Sequence, residues 1–243
     1  MKDVELAHIV EQLSMEPEES LTLQQVVDQA VRYVPGCDMG SVFVRRNGTV
    51  EIAATTDPSA TRVDDLQFEF DEGPCLSVLQ EHEIASVPDT ATDDRWPRWS
   101  DGAVEHGVRS SLSLRLAIEE PYLACLNMYS REPRGFDGDA VDLAVVYARL
   151  ASVATLQARE VSGLRSALNN RLIIGAAQGI LMERYGLSLN RSFEVLRRRS
   201  NETNTKLHDV ARASSMVWRS ATERRSRRRR RHRVLAQGLR DRD

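Results

Sequence analysis

The chain has 243 residues, of which 41% are hydrophobic and 28% charged, with a formal net charge of −3. Length and composition leave room for about two domains with real cores, and they exclude a collagen-like or disordered chain. The net charge hides two opposite halves. Residues 1–160 carry 13 Lys and Arg against 29 Asp and Glu, whereas 161–243 carry 20 against 7. A basic C-terminal half suits a polyanionic partner, and the acidic N-terminal half does not.

Residues 3–13 place Val4, Leu6, Ala7, Ile9, Val10 and Leu13 at helical spacing, and Pro17 ends the pattern. Leu21 to Val34 is a second expected helix, stopped by Pro35-Gly36. Ser41 to Arg45 and Thr49 to Thr55 flank Asn47-Gly48, the signature of a hairpin. Asp65 to Phe70 leads into the loop Asp71-Glu-Gly-Pro-Cys75, and Leu76 to Glu81 has the character of a short helix. Ile84 to Val87 is a strand ended by Pro88-Asp89, and a helix is expected over Ser100 to His106. Ser110 to Ile118 and Pro121 to Ser130 read as antiparallel strands around a Glu119-Glu120 turn. Helices flanking a run of strands imply an α+β domain.

The ordered set Asp71-Glu-Gly-Pro-Cys75, Asp94-Arg-Trp-Pro97, Gly107-Val-Arg-Ser-Ser111 and Leu126-Asn-Met-Tyr-Ser130 resembles a GAF domain. More narrowly, it is similar to the GAF domains of actinobacterial regulators. Cys125 departs from that pattern, which usually has a small residue there. The resemblance implies a pocket beside the sheet for an unidentified small-molecule ligand. Phe70, Gly73, Cys75 and Trp96 are its candidate lining. The alternative is that the tryptophans are core or lid and Gly73-Pro74 a turn. No positively charged neighbour is visible to activate Cys75, so an ordinary buried thiol is expected.

From Gly138 to about Arg184 nothing stops a helix except tolerable glycines. Leu143, Tyr147, Leu150, Ala154, Gln157, Val161, Leu164 and Leu168 alternate in steps of four and three, an a/d coiled-coil seam with one polar break. Leu150, Val161, Leu164 and Leu168 are the candidate dimer seam. The first part of the same stripe must also cover the α+β domain's own sheet.

Gly186 ends this helix and Ser188 caps the next, whose expected buried face is Leu189, Phe193 and Leu196. Asn204 or Thr203 is the expected cap of a third helix, with Leu207, Val210, Ala211, Ser214 and Val217 inward. Ala176, Ala177 and Gly179 would let the helices approach closely. The run Ala177-Gln-Gly-Ile-Leu-Met182, Phe193, Leu196-Arg197, Ser200, Asn204 and Lys206-Leu-His-Asp-Val-Ala211 resembles the ANTAR domain. Ser192 and His208 depart from it. The resemblance implies a three-helix module that binds two successive RNA hairpins with six-base loops and so prevents a terminator from forming. Arg171, Arg197, Arg198 and Lys206 are the phosphate candidates. Gln178 and Asn204 are the candidates for reading a base, Asn204 being equally fitted to a cap. Met182, Phe193, Leu207 and Val210 are expected in the core.

The expected architecture is therefore an α+β GAF-like domain (1–140), a coiled-coil helix (141–170), an all-α three-helix ANTAR-like bundle (171–220) and an Arg-rich tail (221–243). The expected function is a homodimeric transcription antitermination regulator. The alternative is a signalling protein that works through protein partners and touches nucleic acid only nonspecifically. The scattered Cys37, Cys75 and Cys125 suggest neither a zinc site nor a disulfide framework. With no nucleophile–base pair, metal cluster or phosphate loop legible, neither an enzyme nor a cofactor is expected. The polar, acidic start and the lack of a long apolar run imply no signal peptide, no membrane span and a cytoplasmic location.

Overall fold

A computed structural model describes residues 19–214 apart from 47, 81, 120 and 121, and gives the backbone alone for 117–119. The helix expected over 3–13, the tip of the Glu119-Glu120 turn, Val217 and the Arg-rich tail lie outside the described residues. The chain forms two compact units, divided between Ser162 and Gly163. No described helix is long and apolar enough to cross a membrane.

The first unit is built on a five-stranded antiparallel sheet in the order β2-β1-β5-β4-β3. The strands are β1 (Met39–Arg46), β2 (Thr49–Thr55), β3 (Ile84–Val87), β4 (Ser110–Glu119) and β5 (Tyr122–Ser130). β5 is central and buried along its whole length. Its alternation serves two cores, because successive side chains point to opposite faces. Tyr122, Ala124, Leu126 and Met128 enter the cluster covered by α1 (Glu19–Tyr33) and the start of α5 (Gly138–Tyr185). Leu123, Cys125 and Tyr129 enter the clusters under α2 (Pro58–Phe70), α3 (Pro74–Gln80) and α4 (Pro97–Glu105). The Tyr147 hydroxyl donates to the Val26 carbonyl at 2.6 Å and pins α5 to α1.

Helix α2 has no counterpart among the elements expected from the sequence. Its start is well signalled: Asp57 accepts from the Ser59 amide at 2.7 Å, and Pro58 occupies the first turn. Its inward face, however, includes Asp64 and Gln67, both fully buried, and these interrupt the apolar period. α4 begins three residues earlier than expected, at Pro97, a residue suited to a first turn.

Candidate nucleic-acid interface and sensory-domain cavities

The second unit begins within α5. Gly186 adopts φ +61° and ends that helix in the left-handed region, where glycine has no steric penalty. The Ser188 hydroxyl accepts from the Arg191 amide at 3.3 Å and caps α6 (Leu189–Thr203). Ala177, Leu181, Leu196, Val210 and Ala211 form a small core, flanked by Ile173, Ile174, Leu187 and Leu207.

Several expected positions move. The buried residues of α6 are Ser192 and Leu196, while Leu189 is 58% and Phe193 38% exposed. Small Ser192 can sit against a neighbouring helix, with its hydroxyl satisfied by the Leu189 carbonyl at 2.7 Å. That turns the bulkier Leu189 and Phe193 outward. Met182 is likewise exposed. Of the three small residues on α5, only Ala177 is buried, and nothing lies within 4 Å of a side chain placed on Gly179. Asn204 does not cap the third helix at its start. It ends α6 at φ 48°, its amide donating to the Ser200 and Asn201 carbonyls. The Lys206 carbonyl accepts from Asp209 and Val210 and opens α7 (207–214).

The RNA candidates fall into groups. Helical geometry, at about 100° per residue, puts Arg171, Gln178, Met182 and Tyr185 within a sector of about 60° on α5. Gln178 Nε2 donates to the Leu189 carbonyl at 3.1 Å, which sets that sector beside the start of α6. Leu189, Phe193 and Arg197 share a flank of α6, within about 80° by the same geometry. Arg198 lies on the opposite side of α6 and pairs with Glu202 at 2.7 Å. Lys206 and Asn204 are exposed at the junction of α6 and α7.

The a/d stripe of α5 divides between two tasks. Tyr147 and Ala154 are buried in the first unit's core, and Leu150 is half-buried. The first part of the stripe covers the first unit's own sheet. Val161, Leu164, Leu168 and Leu172 are exposed, Leu164 by 61%.

In the first unit a surface cavity of about 320 Å³ is lined by Asp71, Glu72, Gly73, Leu76, His82 and Trp96 among others. Gly73 has φ +142°, and a side chain there would collide with that of Gln67. Gly73 and Trp96 of the four pocket candidates meet at this cavity. Phe70 and Cys75 do not. Phe70 lies under the Arg98 guanidinium, 4.3 Å from the ring centre. Cys75 is fully buried beside Phe43, Val78 and Cys125, and burial pushes its thiol pKa up. A second cavity of about 380 Å³, unforeseen in the sequence, lies on the other face of the sheet, with Ile84, Leu114, Leu116, Ala148 and Arg149 in its lining.

Beneath the sheet lies a polar cluster that the sequence reading did not anticipate. Asp64 Oδ1 accepts from the Tyr129 hydroxyl and from Asn127 Nδ2 at 3.3 Å. Asn127 Nδ2 also donates to the Ser41 hydroxyl at 3.3 Å, and Asn127 Oδ1 accepts from Ser113 at 2.8 Å. Gln67 Nε2 donates to Tyr129, and its Oε1 accepts from the Cys75 amide at 2.8 Å. Asp64 Oδ2 has no hydrogen-bond partner among the described residues. Burial raises the Asp64 pKa to about 7. No set of three or more His, Cys, Asp or Glu among the described residues is placed to hold a metal ion.

Fold and surface together define a two-unit protein in which an α+β domain, through one continuous helix, precedes a small helical module with an arginine-bearing surface. The chain belongs to the GAF domain family, whose model matches residues 18–155. The ANTAR domain matches residues 162–213, so both domains are present. ANTAR domains are RNA-binding antiterminators and GAF domains are sensory, so the general role is RNA-level regulation coupled to signal transduction. As families, ANTAR and GAF domains are regulatory.

The solved structures show the same fold. The GAF domain of a phosphoenolpyruvate-protein phosphotransferase from Coxiella burnetii is 20% identical with a TM-score of 0.51, over 65% of this chain and 94% of that one. Its counterpart from Acinetobacter is 17% identical with a TM-score of 0.50, over 66% and 98%. A bacteriophytochrome from R. palustris is 12% identical with a TM-score of 0.54, over 79% of this chain and 45% of that one. No curated protein matches the chain.

Proposed function

We propose that the chain is a cytoplasmic, homodimeric antiterminator of the actinobacterial GAF–ANTAR type, which binds two successive RNA hairpins with six-base loops. The observation that supports this reading is the Gln178–Leu189 hydrogen bond, which ties the α5 sector bearing Arg171 to the start of the α6 flank bearing Arg197. Guanidinium groups hold phosphates, while an amide and apolar groups meet unpaired bases. Lys206 and Asn204 extend the basic and polar surface at the end of α6. The exposed Val161, Leu164 and Leu168, with half-buried Leu150 before them, support pairing of two copies. Two copies offer two such surfaces, one for each hairpin. In this reading residues 1–140 sense, 141–170 pair, 171–220 bind RNA, and 221–243 add nonspecific affinity. A small ligand of the GAF domain would enter at the cavity bordered by Gly73 and Trp96.

The test is binding of the full chain, at near-physiological salt, to an RNA bearing two such hairpins and to the same RNA with scrambled loops. Tight binding lost on scrambling is expected. Arg197→Ala should weaken it about tenfold or more, and Arg198→Ala less, because Arg198 already pairs with Glu202. Equal affinity for both RNAs would reject the hairpin reading in favour of action through protein partners.

A further inference from the structure

Phe193 is 38% exposed, and the second unit's core among the described residues, Ala177, Leu181, Leu196, Val210 and Ala211, does not include it. With Leu189, 58% exposed one turn before it, Phe193 makes a contiguous apolar surface of the kind a partner covers. Its surroundings indicate which partner. Arg197 follows it by one turn on the same flank and makes no ion pair among the described residues. The two glutamates of α6 are each engaged by another arginine, Glu194 by Arg191 at 3.3 Å and Glu202 by Arg198 at 2.7 Å. Exposed Leu189 precedes Phe193 by one turn on the same flank, and its carbonyl accepts from Gln178 of α5 at 3.1 Å. An aromatic ring next to an exposed leucine and to a guanidinium with no ion pair among the described residues suits a flat, apolar group that carries an attached anion. An unpaired nucleobase with its phosphate is such a group.

We propose that Phe193 is the stacking platform for an unpaired base of the hairpin loop, with Leu189 one turn before it and Arg197 holding that nucleotide's phosphate. This rests on the hairpin-binding reading above. It adds to that reading the residue that receives the base by its face rather than by hydrogen bonds. The dependence is therefore on an unstacked loop base being present, not on its hydrogen-bonding edge alone.

The experiment uses the full chain and three proteins: the parent, Phe193→Leu and Phe193→Tyr. Each is titrated with the two-hairpin RNA and with versions in which single loop nucleotides are abasic. Expected is a loss of about tenfold for Phe193→Leu on the intact RNA and near-parental affinity for Phe193→Tyr. At one loop position the abasic RNA should bind parent and Phe193→Leu alike, because the base that stacks is gone. Equal binding of the intact RNA by parent and Phe193→Leu overturns the assignment while leaving hairpin recognition standing. A Phe193→Leu loss of the same size on every abasic RNA overturns it as well, since that marks a structural effect. A changed sedimentation coefficient for Phe193→Leu without RNA overturns it in favour of a contact between copies. Failure of the parent itself to distinguish hairpins from scrambled loops removes the underlying reading.

Discussion

Asp64→Asn is expected to flatten the pH dependence of the first unit's stability between about pH 4 and pH 7. Asp64 is fully enclosed between α2 and the sheet, and burial raises its pKa from 3.8 to about 7. Across that interval the native protein keeps the proton and the unfolded chain releases it. The native state therefore binds more protons, and stability falls as pH rises. The contribution is fully present below about 3.8 and is lost as pH passes through about 7. Three pH units correspond to roughly 4 kcal/mol as an upper bound. Asn cannot ionise and retains a polar group opposite Tyr129 and Asn127. Urea unfolding of both proteins at pH 4.5, 6 and 8 measures the effect. Parallel stability curves for parent and variant would show that Asp64 does not titrate in this window.

Trp99→Ala is expected to destabilise the same unit by about 3–5 kcal/mol. Trp99 is fully buried among Met39, Ala60, Val63, Ala103, Val108 and Tyr129, and meets the Trp96 ring edge-on at 6.3 Å. Its indole N–H donates to the Val63 carbonyl at 3.1 Å, so truncation removes a donor together with the packing. Trp99→Phe keeps most of the volume and should cost less than half as much. Thermal unfolding should show the alanine variant melting about 8–15 °C lower. A shift of only 1–2 °C would mean that neighbouring side chains collapse into the space.

The contrast between these two residues explains what was legible beforehand. β1, β2, β4 and β5 were readable because turn residues bracket runs of β-forming side chains. Helix α2 was not, because its inward face carries Asp64 and Gln67, and a period built on apolar residues passes over buried carboxyl and amide groups. Their partners, Tyr129 and Asn127, lie about 60 positions further on, so no local pattern announces the cluster. In the second unit the caps at Gly186 and Ser188 were legible because they are local chemistry. The choice between Phe193 and Ser192 as the inward residue was not. Both fit a helical stripe ending at Leu196, and only the approach of neighbouring helices selects the smaller one. The same ambiguity governed Tyr147 and Ala154, whose seam spacing is equally the spacing of a helix lying on its own sheet.

The helix Gly138–Tyr185 has a further consequence for how the chain forms. Starting a helix is the unfavourable step, since several residues must be ordered for the first hydrogen bond, and each later residue adds easily. The segment before Ser162 is held by the sheet through Ala144, Tyr147, Ala151 and Ala154. It therefore presents a finished helical end from which the residues after Gly163 elongate without a nucleation step of their own. A protease cut between these stretches would remove that template. The C-terminal fragment would then have to begin its first helix unaided, with a core that holds five small and medium side chains among the described residues to reward it.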